Sequence, residues 1–151
     1  MSPIQLNIEN ETDFELDSEP LQEAARLICG SERPGAPCQI GVLICNDEAM
    51  REYNRLYRGH DSATDVLSFD LGAELPKSDA ELATPVFCDI IIDINQVERQ
   101  KGSNSLEQEL MEIFIHGLLH GLGFDHIRTG DQKLMKTKEE YYKNKLMRGV
   151  Q

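Results

Sequence analysis

Hydrophobic residues follow two different periods along the 151-residue chain, and each period predicts one kind of element. In the segment IQLNIEN, residues 4–10, apolar side chains occupy every second position, which is typical of a strand with one buried face. Three further runs are rich in apolar or β-branched residues and predict three more strands. They are QIGVLIC at 39–45, DVLSFDL at 65–71 and VFCDIIIDI at 86–94.

Two helices are predicted in the first half of the chain by their start and stop residues. Ser18 can cap a helix that runs to about Ile28, with Gly30 as its stop signal. Asn46 can cap a second helix, DEAMREYNRLYR, because its side-chain oxygen can accept a bond from an early backbone N–H group. Gly59 then ends this helix, since glycine accepts the left-handed conformation of a C-terminal cap.

Two more helices are predicted in the C-terminal third, each opened by a capping box. Ser105 with Gln108 begins a helix over residues 106 to about 120, and Thr129 with Gln132 begins one that ends near residue 149. The first of these helices is apolar on most sides, which indicates that it is buried in the middle of the domain. Strands and helices are mixed without strict alternation. The pattern therefore predicts one α+β domain over residues 1–151, with a mixed sheet of about four strands covered by helices.

Composition narrows the class of protein. Hydrophobic residues make up 40% of the chain, which is typical of a globular domain, and no apolar run is long enough to span a membrane. The acidic N-terminal segment lacks the basic start and apolar stretch of a signal peptide, so we expect a cytoplasmic location and no membrane partner. The four cysteines form no CxxC pair, which predicts free, mostly buried thiols.

The net charge of −12 argues against non-specific binding to nucleic acid, because like charges repel at long range. The charge is unevenly spread, however. Residues 127–151 contain seven Lys or Arg and three Asp or Glu, a net +4, so the preceding residues carry −16. A local basic groove is therefore compatible with the acidic total.

The segment HGLLHGLGFDH contains three of the four histidines. His116 and His120 are four residues apart on the predicted helix, so their side chains lie on the same face. Gly121 and Gly123 let the chain leave the helix, since glycine accepts positive φ, and the turn can return His126 to the same place. Three neutral imidazoles leave the fourth position of a tetrahedral Zn²⁺ open, which is the pattern of catalytic zinc. The sequence predicts a zincin-like metal-binding helix and one metal ion per chain, Zn²⁺ or another divalent transition metal such as Ni²⁺.

The spacing of these histidines resembles the metzincin signature H-E-x-x-H-x-x-G-x-x-H at every fixed position except one. Gly117 stands where those peptidases carry a glutamate that acts as general base. A peptidase needs such a base to activate water and to protonate the amine leaving group. We therefore expect no cleavage of peptides.

A second segment, NRLYRGHDSATDVLSF, together with the histidine motif resembles the YbeY family of metal-dependent endoribonucleases. The family pattern runs approximately N-x-x-Y-R-x-K-D-x-P-T-D-V-L-S-F-P, then G-D-I-x-I, then H-G-x-L-H-x-x-G-y-D-H. The resemblance runs in order from the second predicted helix to the end of the chain and includes the whole histidine motif. The other matching residues are Asn54, Tyr57, Arg58, Asp61, Thr64, Asp65, Val66, Leu67, Ser68, Phe69, Asp89, Ile90 and Ile92.

The resemblance implies a function: single-strand-specific cleavage in ribosomal RNA maturation, at the 3′ end of the small-subunit rRNA, and in ribosome quality control. It implies His116, His120 and His126 as metal ligands and Arg58 as a functional residue. The partners that it implies are ribosomal RNA and the small ribosomal subunit, together with a small-subunit ribosomal protein and a ribosome-associated GTPase. Arg58 suits its role chemically, because a guanidinium group is always charged and grips a phosphate through two donors.

The chain departs from the family pattern at four positions outside the metal ligands. His60 stands where the family has Lys, which leaves open any phosphate contact by that side chain, since neutral imidazole carries no charge. Ala63 and Asp70 replace prolines, and Cys88 replaces the glycine before Asp89.

Several polar residues near the motifs have more than one interpretation. Thr64, Asp65 and Ser68 either support the site or, as we favour, hold the backbone geometry of the TDVLSF turn. Arg51 and Arg55 share a helix face with Arg58, which predicts a basic stripe or a solvated face. Glu112, one turn before His116, either orients a ligand, accepts a proton or, as we favour, lies on the helix surface, and Asp125 is expected to stabilise the turn. We further hypothesise that the missing Cβ of Gly117 leaves room beside the metal for a nucleotide.

The expected reaction is metal-assisted cleavage of a phosphodiester in which Arg58 holds the scissile phosphate. The nucleophile is open: it is either a metal-activated water or the ribose 2′-OH, and only the second leaves a cyclic phosphate. Two other functions also stay open. One is a metzincin-like metallopeptidase, and the other is a non-catalytic ribosome assembly factor whose metal is structural.

Overall fold

The computed structural model of the protein describes residues 3–60, 64–70, 78, 83–124 and 129–147. Within these residues the chain forms four strands and five helices, which confirms the predicted α+β class. In chain order they are β1 (Ile4–Asn10), α1 (Glu19–Glu32), β2 (Cys38–Cys45), α2 (Asp47–Arg58), β3 (Val66–Asp70), β4 (Val86–Asp93), α3 (Ile94–Gln100), α4 (Leu106–Gly121) and α5 (Thr129–Leu146).

The four strands form one mixed sheet in the order β1-β2-β4-β3. The strands β1, β2 and β4 are parallel, whereas β3 pairs antiparallel with β4 at the edge. The backbone N–H of Asp93 donates to the carbonyl of Asp65 at 2.9 Å. Asp65 and Asp93 therefore form a hydrogen-bonded pair, and such pairs alternate with non-hydrogen-bonded pairs along an antiparallel ladder. Ser68, opposite Ile90, belongs to a non-hydrogen-bonded pair, so its backbone N–H and C=O groups point away from β4.

The two faces of the sheet are covered by different helices. Alternate side chains of β2 and β4 pack with α1 and α4 in the main core. The helix α2 contacts β4 on the opposite face, where a smaller apolar cluster forms. The edge strand β3 therefore lies between α2 on one face and α4 on the other. The smaller cluster is centred on Cys45, Met50, Leu67 and Ile91.

Three of the predicted helix ends are confirmed in detail. The side chain of Asn46 accepts a bond from the backbone N–H of Ala49 at 2.9 Å, and Gly59 ends α2 with a φ of 71°. Ser105 and Gln108 make both bonds of the capping box at the start of α4. The start of the histidine-bearing helix is therefore determined locally, by residues within one turn of it.

The prediction for the end of α1 was wrong. The helix continues through Gly30 to Glu32, because a glycine inside a helix costs only about 1 kcal/mol and the buried face of α1 packs in the main core. Ser18 stands at the start of this helix, but its side chain makes no cap bond. Asp17 instead accepts a bond from the backbone N–H of Glu19 at 3.2 Å.

The short helix α3 was not predicted. The apolar run that predicted a strand to residue 94 ends as a strand at Asp93, whose side chain caps α3 by accepting from the N–H of Asn95 at 3.0 Å. The helix α5 begins at Thr129, and residues 125–128, where a cap would stand, lie outside the described residues. Its predicted end near residue 149 also lies outside them.

All four cysteines are free and buried, as predicted. Among the described residues, no helix has both the length and the apolar character that crossing a membrane requires.

Candidate active site

The helix α4 presents His116 and His120 on one face, one turn apart. It ends through bonds that tighten its last turn: Gly123 donates its N–H to the carbonyl of His120 at 3.0 Å. Gly123 has a φ of 108°, so the predicted glycine exit is confirmed at this position. The prediction of positive φ was wrong for Gly121, which is the last residue of the helix and is not among the positive-φ glycines.

A carboxylate from α5 contacts the first histidine. The Oε1 atom of Glu139 lies 2.9 Å from Nδ1 of His116, and the two side chains are 32% and 35% exposed. The hydrogen bond to Glu139 raises the pKa of His116, burial opposes this, and the charges of Glu139 and Asp65 add to the rise. With Nδ1 engaged in this bond, Nε2 is the nitrogen that can bind a metal ion.

A chain of two hydrogen bonds connects Arg58 with the histidine helix. The guanidinium group of Arg58, at the end of α2, donates to the carbonyl of Ser68 at 3.3 Å. The hydroxyl of Ser68 in turn donates to the carbonyl of Gly117 at 3.0 Å. Because Gly117 follows His116, the edge strand β3 joins the predicted phosphate-binding arginine to the predicted metal site.

Gly117 faces the sheet. A Cβ atom at this position would lie 3.1 Å from Val66 Cγ2 and 3.2 Å from both Ile90 Cγ2 and Ser68 Oγ. These distances are shorter than ordinary apolar contacts of about 3.5–4.0 Å. The hypothesis that the missing Cβ leaves room for a nucleotide was therefore wrong, because glycine here lets α4 pack closely on β3 and β4.

Other candidate residues have structural partners. Glu112 forms an ion pair with Lys143 at 2.6 Å and accepts a bond from Asn104 at 2.7 Å, and these contacts tie α4 to α5 and to the preceding turn. Arg55 pairs with Glu52 on its own helix, which reduces the predicted basic stripe.

In the structure most of the TDVLSF segment is the strand β3, and the two residues before this strand are also held by hydrogen bonds. Asp65 accepts one from Gln100 at 3.2 Å, in addition to the backbone bond from Asp93. Thr64 lies 3.5 Å from the Asp65 carboxylate. These contacts agree with a role in backbone geometry. His60, at the end of the preceding helix, donates its backbone N–H to the carbonyl of Asn54 at 3.4 Å.

The third predicted ligand, His126, and the neighbouring Asp125 lie outside the described residues. Within the described ranges no three His, Cys, Asp or Glu side chains form a group that could hold a metal ion. The structure thus brings His116 and His120 together and places Arg58 near them through Ser68. The complete three-histidine set stays a prediction.

Two contacts at this site were not predicted from the sequence. One is the contact between Glu139 and His116, which are 23 residues apart along the chain, too far for a local sequence pattern to connect them. The other is buried Arg33, which donates to the carbonyl of Leu122 at 2.6 Å and so holds the end of the histidine helix. Arg33 lies 89 residues away along the chain, and no spacing rule connects the two.

A cavity of about 510 Å³ lies on the opposite face of the sheet. Its lining includes Tyr53, Tyr57, Phe69 and Asp89 but neither His116 nor His120. The carboxylate of Asp89 extends over Gly41, where a Cβ atom would lie only 2.5 Å from Asp89 Oδ1. The cavity is therefore separate from the site on α4.

Comparison with known proteins identifies the family. The family model described as Endoribonuclease YbeY matches residues 6–147 of the chain. The chain belongs to this family. The chain is 31% identical over 144 residues to the Endoribonuclease YbeY of Petrotoga mobilis, covering 92% of this chain and 94% of the relative. It is 36% identical over 124 residues to that of Pelotomaculum thermopropionicum, covering 80% of each.

A solved structure is similar as well. The solution structure of TM1509 from Thermotoga maritima matches with a TM-score of 0.67 and 27% identity, over 95% of this chain and 89% of that one. The sequence resemblance to the YbeY family is thus confirmed, and membership supports an endoribonuclease role with RNA as the substrate.

One departure from the YbeY pattern has a structural explanation. Cys88 stands where the pattern has glycine, and its side chain fills space against the last turn of α4. A Cβ atom on Gly121 would lie 2.1 Å from Cys88 Sγ. The glycine on α4 therefore accommodates the larger residue on β4, at a position where the family pattern has no fixed residue.

Proposed function

We propose that this chain is a metal-dependent, single-strand-specific endoribonuclease that acts on the 3′ end of small-subunit ribosomal RNA and in ribosome quality control. The observation that carries the proposal is the family match over residues 6–147. On this proposal the chain works as one catalytic domain in the cytoplasm. Its partners are the small ribosomal subunit, one of its proteins and a ribosome-associated GTPase.

The donor set fits a transition metal. His116, His120 and His126 would hold the ion, Zn²⁺ or another divalent metal such as Ni²⁺. The bond between His116 Nδ1 and Glu139 supports this assignment, because a histidine that ligates a metal through one nitrogen usually donates from the other to a carboxylate or carbonyl. When bound, Zn²⁺ supplies Lewis acidity that polarises phosphoryl oxygens and lowers the pKa of water to about 7.

Arg58 is proposed to bind the scissile phosphate. Its side chain is exposed, and its bond of 3.3 Å to the Ser68 carbonyl is long for a charged donor. An RNA phosphate is a stronger, charged acceptor and can replace that carbonyl. In this exchange the guanidinium donors bond to the phosphate instead and neutralise the charge that develops on the phosphoryl oxygens.

The packing around Gly117 disfavours the peptidase alternative. A glutamate at position 117 would begin with a Cβ within 3.2 Å of three sheet atoms, so the general base of metzincins would have to displace side chains of β3 and β4 to fit.

The test of the proposal is cleavage of RNA by the metal-loaded protein. A single-stranded oligonucleotide from the 3′ end of small-subunit rRNA, the same strand in a duplex, and a peptide substrate are incubated with the wild type and with His120→Ala. We expect cleavage of the single strand alone, and loss of cleavage in the variant. A 2′,3′-cyclic phosphate end on the product would identify the ribose 2′-OH as the nucleophile.

Two outcomes would contradict the proposal in different ways. A protein that binds metal but cleaves no RNA would favour the assembly factor with a structural metal. Peptide cleavage that depends on His120 would favour the metallopeptidase.

A further inference from the structure

Among the described residues, two side-chain pairs connect α4 and α5 at equal spacing. Glu112 pairs with Lys143 at 2.6 Å, and His116 pairs with Glu139 at 2.9 Å. Each step is four residues forward on α4 and four residues back on α5, as expected for antiparallel helices that pack along one face. The two pairs therefore fix the register of α5 against the histidine helix.

Only one of these pairs touches a predicted metal ligand. The Glu139 carboxylate can only accept, so the hydrogen of the bond belongs to Nδ1 of His116. Free neutral imidazole has two tautomers, and only the one with its proton on Nδ1 leaves the lone pair of Nε2 available. A partly buried acceptor on a packed helix also restricts rotation of the ring.

We propose that Glu139 is a positioning residue that holds His116 as the Nδ1–H tautomer and directs Nε2 towards the metal. This inference rests on the metal site of the proposed function and extends it to α5. It assigns to α5 a contribution to the site in addition to its packing on α4.

The chain offers a matched control for a purely structural role. Lys143→Met removes the neighbouring ion pair between the same two helices and keeps most of the apolar side chain, but it leaves His116 and Glu139 in place. Glu139→Ala removes the acceptor, whereas Glu139→Gln keeps an oxygen that can accept the same hydrogen bond.

The experiment measures two properties of the wild type and these three variants. The tautomer of His116 is measured in metal-free protein by long-range ¹⁵N–¹H NMR, at a pH where the ring is neutral. The affinity for Zn²⁺ is measured by competition with a chromophoric chelator. Neither measurement depends on RNA cleavage.

We expect the Nδ1–H tautomer in the wild type, in Glu139→Gln and in Lys143→Met. Glu139→Ala should shift His116 towards the Nε2–H tautomer and weaken Zn²⁺ binding by about 10–100-fold, the usual effect of losing such a partner. Glu139→Gln should retain most of the affinity, and Lys143→Met should bind as the wild type does.

Three outcomes would overturn the inference. Wild-type tautomer and affinity in Glu139→Ala would show that the carboxylate does not orient the ring. Equal losses of affinity in Glu139→Ala and Lys143→Met would show that the effect comes from helix packing. A wild type that holds the Nδ1–H tautomer but takes up no Zn²⁺ would refute the metal site of the proposed function together with the inference, whereas in the first two outcomes that site stands.

Discussion

The contact between Gly121 and Cys88 gives the sharpest test of the packing beneath the histidine helix. In Gly121→Ala, the new Cβ would lie 2.1 Å from Cys88 Sγ and 3.3 Å from Cys88 Cβ. If Cys88 Sγ rotated away, the new Cβ and Cys88 Cβ would still be closer than the favourable distance of about 3.5–4.0 Å. The buried cysteine, the helix or both must therefore shift.

The expected change in the free energy of unfolding of Gly121→Ala has two opposing contributions. Overpacking of a buried site costs about 1–3 kcal/mol of unfolding free energy. Alanine is favoured over glycine inside a helix by about 1 kcal/mol, which offsets part of this cost. Gly30→Ala is the matched control, because Gly30 is also helical but a Cβ there would meet no atom within 4 Å. Gly30→Ala should thus stabilise the protein, and Gly121→Ala should be about 1–3 kcal/mol less stable than that control.

Urea unfolding followed by far-UV circular dichroism measures these free energies, provided that the slope with urea is unchanged. Combining Gly121→Ala with Cys88→Gly removes the sulfur and the Cβ that collide with the new methyl group. The effect of Gly121→Ala in that background should become similar to that of Gly30→Ala. The coupling energy between the two substitutions should then be about 1–3 kcal/mol. Effects of Gly121→Ala that agree within about 0.5 kcal/mol in both backgrounds would refute the close contact.

The remaining predictions concern the site and one buried carboxyl group. Arg58→Ala should keep the metal and the fold but lower the rate of RNA cleavage by about 10²-fold or more, and Arg58→Lys should recover part of that rate. The control Arg55→Ala should cleave RNA at the wild-type rate. Equal rates for Arg58→Ala and the wild type would exclude a catalytic role of Arg58. His120→Ala should lose most of its bound metal by elemental analysis, and a full equivalent retained would reject that ligand. Gly117→Glu should lower stability in urea unfolding because the sheet fills the space at its Cβ, and unchanged stability would contradict that packing. Burial and the neighbouring carboxylate of Asp47 raise the pKa of Asp93 to about 7. The folded protein therefore binds a proton at Asp93 more tightly than the unfolded chain does. The free energy of unfolding should therefore fall as the pH rises from about 4 to 7. Asp93→Asn keeps the oxygen that caps α3 and should remove this fall. Parallel pH profiles of stability for the wild type and Asp93→Asn would contradict the prediction.

Local sequence signals predicted much of this fold correctly. The apolar periods located all four strands, and Asn46, Gly59 and the capping box at Ser105 located the ends of the helices that carry Arg58 and the histidines. These signals work because a cap or a strand face depends on residues within a few positions of one another. The spacing of His116 and His120 is a signal of the same kind.

Tertiary structure decided the features that depend on distant partners. The sequence predicts open space beside Gly117, but a Cβ there would meet side chains of β3 and β4. The sequence pattern alone does not show how these two strands lie against α4. Gly30 looked like a helix stop, and core packing carried α1 past it. The partner of His116 is Glu139 rather than the nearby Glu112, because the register of α5 against α4 brings that carboxylate to the ring. Local spacing thus determined which groups share one helix face, and only the packing of the helices and the sheet determined what each of those groups touches.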